Sequence, residues 1–252
     1  MRTFFILLGK ELRSFFLSPV AYIVLALFMV ISGFSFSQAI TLLQEKPSET
    51  SIVQWTFYPR WFFFYFFFLF PLITMRLFAE EQKTGTLESL LTAPVRAGQV
   101  LLAKYFSAVI FYIILWLPNL LYLGILHWVS DGRVVIPLGA LGGCYLIILL
   151  SGLFHIAVGC LASALTRNQI VAAIICFTLI LLHFLLGMFL LLMAENVPAD
   201  MKDLVNYFAT TQHMSYFTVG LIDTRAIVYY LSFSLLLLTI THQVLEYRRW
   251  KA

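Results

Sequence analysis

Residues 170–193 contain no Asp, Glu, Lys or Arg, and His183 is the only side chain among them that titrates near neutrality. A helix that crosses a bilayer needs about 20 mostly apolar residues, so this run alone commits the chain to a membrane. Five further runs have comparable character: residues 19–40, 57–75, 101–126, 138–165 and 227–245. The chain is 62% hydrophobic and 11% charged, whereas soluble domains carry about 25% charged residues. The expectation is an all-α integral membrane protein of six transmembrane helices, forming one domain over residues 1–252 with no soluble part.

Basic residues fix the orientation, because Lys and Arg accumulate on the cytoplasmic side. Six spans put both termini on one side. That side collects Arg2, Lys10, Arg13, Arg76, Lys83, Arg96, Lys104, Arg167, Arg248, Arg249 and Lys251. Lys46, Arg60, Arg133, Lys202 and Arg225 fall on the other, with most of the acids. Both termini are therefore expected in the cytoplasm, in a multi-pass protein. The net charge of +4 reflects this bias and gives no reason to expect nucleic acid. No small-residue cleavage site follows the first apolar run, so no cleavable signal peptide is expected.

Residues 1–18 alternate Phe4, Phe5, Leu7, Leu8, Leu12, Phe15 and Phe16 with Arg2, Lys10, Glu11 and Arg13. That pattern suits an amphipathic helix on the membrane surface, turning into the first span at Ser18-Pro19. Between the second and third runs lies a charged, helix-forming island, residues 76–94. Gly85 breaks the helix descending from the membrane. Thr84 or Thr86 can cap a new one, and Glu88 falls in its first turn, where the helix dipole favours an anion. Leu87, Leu90 and Leu91 give it one apolar face, and Pro94 stops it. Nothing in the sequence is evidently left to cover that face, so docking of a second protein is the expected use.

The second run contains Trp61-Phe62-Phe63-Phe64-Tyr65-Phe66-Phe67-Phe68-Leu69-Phe70. Aromatics that ring a helix cannot all face lipid. Some must pack inside the protein or line a path, and Phe63, Phe66, Phe67 and Phe70, with His183, are the candidates. Gly139, Gly143, Gly152, Gly159 and Ser163 mark the fourth span as closely packed. His155 and His183 are the ionisable side chains deepest in the spans; each can serve function or simply hydrogen-bond a neighbour. Pro118-Asn119 should kink the third span. Residues 194–226 read as two short helices dipping into the outer leaflet. Cys144, Cys160 and Cys176 have no metal or redox spacing, and no phosphate-binding loop, HExxH motif or clustered Cys/His site occurs. A bundle without its own energy source, displaying a docking helix, implies a separate ATP-hydrolysing partner.

Phe78-Ala79-Glu80-Glu81, Gly85-Thr86-Leu87-Glu88, Leu91 and Pro94 together resemble the signature of type-2 ATP-binding-cassette exporter permeases. The resemblance is strongest to the gliding-motility type and its nitrous-oxide-reductase-maturation relatives. Gly9-Lys10-Glu11-Leu12 with Ser18-Pro19, and Gly220-Leu221-Ile222-Asp223 before a span ending Tyr247-Arg248-Arg249-Trp250, fit the same group. The resemblance implies a non-enzymatic permease of the bacterial inner membrane. Residues 1–18 would be a connecting helix, and residues 86–93 a coupling helix inserted into an ATPase subunit. Glu80, Glu81, Gly85, Thr86, Leu87, Glu88, Leu90 and Leu91 would carry the coupling. Two ATPase subunits would bind ATP and magnesium, this chain holding no cofactor. A second permease copy or a paralogue would complete a path at a two-fold axis, with membrane lipids around it and room for an extracytoplasmic accessory protein. The competing reading is a mechanotransmission subunit that drives outer partners without passing cargo. A membrane-embedded transferase would need an acid–base or metal constellation, which the sequence does not offer.

Overall fold

The computed structural model describes residues 2–45, 51–57, 59–87, 90, 95–132, 134–193, 198 and 207–251, without the side chains of 45, 59–65, 191, 193, 250 and 251. All regular structure among them is helical: α1 (Arg2–Phe16), α2 (Pro19–Glu45), α3 (Ile52–Thr56), α4 (Pro59–Thr74), α5 (Ala79–Thr84), α6 (Ala97–Val129), α7 (Leu138–Leu165), α8 (Gln169–Met193), α9 (Thr210–Thr218) and α10 (Thr224–Lys251). Five helices are long and apolar enough to cross a bilayer: Pro19–Gln44, Ala97–Val129, Leu138–Leu165, Gln169–Leu190 and Thr224–Arg249. They lie where the first, third, fourth, fifth and sixth apolar runs predict them, with the third and sixth extended at both ends.

The second run, residues 57–75, is helical over most of its length, but its main helix is shorter than those of the other runs. Phe57 closes the short helix α3, and a new helix opens at Pro59, a residue suited to the first helical position because it has no N–H to leave unpaired. The resulting α4 has 16 residues. At 1.5 Å per residue that is about 24 Å, short of the roughly 30 Å hydrocarbon core.

The core centres on α7, whose apolar stretch is 72% buried against 22% for α8 and α10. Its small residues explain this. A Cβ on Gly152 would lie 2.2 Å from the Tyr112 ring of α6, one on Gly159 2.0 Å from Thr74 Oγ1 of α4, and one on Gly143 2.2 Å from the Phe217 carbonyl of α9. Three helices thus approach one backbone at three glycines. Tyrosines secure α6 to the same helix, Tyr105 donating to the Leu153 carbonyl and Tyr112 to the Ile148 carbonyl. α6 runs through Pro118 as one helix, with Asn119 buried and its Nδ2 unpartnered among the described residues.

α9 lies within residues 194–226, the segment expected to hold two short helices. Thr210, His213, Met214, Phe217 and Thr218 are buried, and the helix is wedged against α7, α8 and α4. The companion helix expected around Met201–Phe208 falls largely outside the described residues. α1 packs on α6 through the Phe15–Phe111 stack, 5.2 Å between centroids, while Phe5, Ile6 and Leu17 stay exposed. The outward apolar side suits a helix lying at a membrane surface.

Candidate functional site

The ends of α1, α7 and α10 and the starts of α6 and α8 share one end of the bundle with α5, and most Lys and Arg gather there. Lys104, two turns into α6, is only 2% exposed in its side chain. A buried ammonium is tolerable only if paired and hydrogen-bonded. Its Nζ lies 3.1 Å from Glu11 Oε2 of α1 and 3.0 Å from Glu81 Oε1 of α5, and 5.6 Å from the centroid of the Phe78 ring. Lys10 adds a second, exposed cation, 3.4 Å from Glu81 Oε1 and 3.6 Å from Glu11 Oε1. Two lysines and two carboxylates therefore fasten three helices to one another.

A second clamp holds the α1–α2 corner. Arg76 grips Glu80 through Nε at 2.8 Å and Nη2 at 3.4 Å, the planar fork that suits a carboxylate. Its Nη1 donates to Ser18 Oγ at the start of α2. α5 also needs an N-terminal cap, and Phe78 supplies none from its own side chain. Ser163 of α7 does so from across the bundle. Its Oγ accepts from the Phe78 and Ala79 amides at 3.0 and 3.1 Å and donates to the Met75 carbonyl. Gln82 Nε2 donates to the carbonyls of Ser163 and Ala164. The short helix is thereby built into α7.

The chain leaves α5 through Gly85 at φ +74°, left-handed geometry that glycine adopts without steric cost. Lys83, Thr84, Gly85 and Thr86 are exposed, and the Thr84 and Thr86 hydroxyls meet at 2.9 Å. Of the three leucines expected on an open apolar face, Leu87 is buried and Leu90 half-buried by the chain itself. Leu87 is 2% exposed, and Leu90 packs with Phe4, Leu8 and Val95 onto Leu7, Val100 and Ala103. The chain packs Leu90 itself because α1 and the start of α6 lie directly beneath it, and Leu87 joins the main core. Glu88 and Leu91 lie outside the described residues.

Between α1, α2, α4, α5 and α6 a cleft of about 270 Å³ opens. Its floor is apolar (Val24, Leu72, Ile73, Phe111), its mouth carries Arg76, Glu80 and Glu81, and buried Lys104 lies in its wall.

The expected path residues lie elsewhere. Phe66 and Phe70 are buried within the chain, each stacked 4.9 Å from the His155 ring. Phe67 is half-buried against Phe177 and Phe184 of α8, and Phe63 is outside the described side chains. His183, also half-buried, meets the Tyr229 hydroxyl at 2.7 Å. His155 Nδ1 donates to the Ser151 carbonyl at 2.7 Å. Both histidines thus have local hydrogen-bond partners. The three cysteines are free and buried, and no cluster able to hold a metal occurs among the described residues.

The basic-end network was not legible as a site. Lys104 lay inside an apolar run, where an ammonium needs a partner, yet it reads equally as a topology signal at a span's edge. Glu11 sat within the Gly9–Leu12 motif. For Ser163, small-residue spacing indicated packing but gave no hint of capping. In comparison with known families, the one described as ABC-2 family transporter protein matches residues 36–241 of the chain. No curated protein matches it.

Proposed function

The chain belongs to the ABC-2 transporter family, a multi-pass membrane permease by its helices and its match, and from that premise we propose that it is the transmembrane subunit of an ATP-driven type-2 exporter. ATP and magnesium are bound and hydrolysed by two separate ATPase subunits, and two copies of this chain, or one with a paralogue, form the path. Both termini face the cytoplasm of a bacterial inner membrane, and the basic end is where the ATPase docks. α4, with α3 and the turn after Thr74, makes the sixth crossing, its short length matched by local thinning of the bilayer or a deeper seat against α7.

One observation carries the reading above all: buried Lys104 shared between Glu11 and Glu81. A docked ATPase pushes on the exposed strip from Lys83 to Thr86 and on the segment after it. Transport requires that the push reach the spans. The Lys104 network and the Ser163 cap join α5 to α1, α6 and α7 without a compliant element between. Packed elements with charge-assisted contacts transmit small shifts because they are not continuously deformable.

The test uses the chain co-expressed with its ATPase. Gly85→Pro and Leu90→Asp should insert normally in the membrane yet lose ATPase co-purification or uncouple hydrolysis from transport. Normal pull-down and transport by both variants would remove the docking assignment.

A further inference from the structure

The cleft at the basic end is layered in a way that no helix-docking role requires. Its floor is hydrocarbon, and its mouth places a guanidinium, Arg76, a few residues from the carboxylates of Glu80 and Glu81. One carboxylate atom is incompletely used. Glu81 Oε1 takes Lys104 and Lys10, whereas Glu81 Oε2 is buried with no hydrogen-bond partner among the described residues. A buried acceptor left without a donor costs the full desolvation of that atom, and only a donor can relieve it. The lining acids Glu11, Glu80 and Glu81 are matched by Lys10, Arg76 and Lys104, so the headgroup that suits best brings an N–H donor and no net charge. Exposed Phe5 and Ile6 on α1, and Leu17 just after it, keep the cleft mouth at headgroup level.

We propose that this cleft binds a lipid whose headgroup carries a primary ammonium beside a phosphate, an aminophospholipid of the phosphatidylethanolamine type. The ammonium donates to Glu81 Oε2, the phosphate lies by Arg76, and the first part of an acyl chain covers Val24, Leu72 and Ile73. A quaternary ammonium has no N–H to give Glu81, and an anionic headgroup brings a net charge to a cleft whose own charges balance. The cleft of about 270 Å³ admits a headgroup and little more. Binding of this lipid needs only the membrane placement of the chain and stands apart from the transport reading.

The experiment is native mass spectrometry of the purified permease, with its ATPase bound, from micelles doped with phosphatidylethanolamine, phosphatidylcholine or phosphatidylglycerol. One phosphatidylethanolamine per chain should be retained, with a preference of about tenfold over the other two, the worth of one charge-assisted hydrogen bond. Glu81→Gln should erase the preference. Leu72→Trp, which fills the floor and leaves every ion pair in place, should abolish retention. Should Glu81→Gln fail to fold, Leu72→Trp decides alone. Equal retention of the three lipids, or unchanged retention in Leu72→Trp, overturns the proposal. So does a Ser14→Cys variant that cross-links to the ATPase subunit rather than to a thiol-reactive lipid, since a protein segment would then fill the cleft.

Discussion

Lys104 has its charge held between Glu11 and Glu81, within about 3 Å of each, so its loss would leave two carboxylates without their shared buried cation. Removing one member of such a pair strands the others, at a cost of about 3–5 kcal/mol. Lys104→Met should therefore lower the thermal midpoint of the detergent-purified protein clearly. Adding Glu11→Gln and Glu81→Gln to it should recover most of the loss, because a neutral set strands no charge. A Lys104→Met protein as stable as the wild type would show the network to be ornamental. Ser163→Ala removes one hydroxyl that serves two amides and one carbonyl. Unmet buried donors cost about 1–3 kcal/mol, so hydrogen exchange at Phe78 and Ala79 should speed by about tenfold or more. Unchanged exchange there would mean that α5 is capped by other means. Neither residue announced itself in the sequence. Lys104 is one basic residue among many near span ends, and a serine four residues from Gly159 reads as a packing residue. Their roles depend on partners up to 93 positions away in the chain, which local pattern cannot supply.

Among the elements, α5 with its glycine exit and the glycine-lined α7 set the geometry. Gly85 needs its left-handed φ but has nothing within 4 Å of a would-be Cβ. Gly85→Ala should then cost only the intrinsic strain, about 1–2 kcal/mol, and Gly85→Asn less, since asparagine visits that region more readily. Circular-dichroism melts of the two variants check the order, and a larger loss for asparagine would contradict it. Gly159 is the opposite case, with backbone helical and space absent. Gly159→Ala drives its Cβ into Thr74, should pry α4 from α7, and should be partly rescued by Thr74→Gly in a thermal melt. No rescue would place the strain elsewhere. The glycines of α7 were legible from spacing alone, since close helix approach in a membrane demands small residues. The helices they admit were not. The five long spans were legible because apolar length is a strong signal. The second run holds α4, a little shorter than the run itself, for hydropathy registers the aromatic run and is blind to Pro59 as a helix start.

At the scale of the whole molecule, the burial pattern bears on how copies assemble. α7 is mostly enclosed by its own chain, whereas α8 presents Leu179, Leu182, Leu186 and Phe189 outward at helical spacing. Single cysteines along residues 177–190, in a chain lacking Cys144, Cys160 and Cys176, should cross-link between copies with helical periodicity. Strong cross-links along α7 instead would move the two-fold axis to the glycine face. The central claim, that the basic end couples this permease to a separate ATPase, is tested most directly by cross-linking to that subunit. The three native thiols are buried, so single cysteines at Lys83 and Thr86 can be read in an otherwise natural chain, with Val135 at the far end as control. Cysteines at 83 and 86 should cross-link to the ATPase subunit with a yield that changes between ATP and ADP, and the one at 135 should give none. Cross-links from position 135, or none from 83 and 86, would contradict the account.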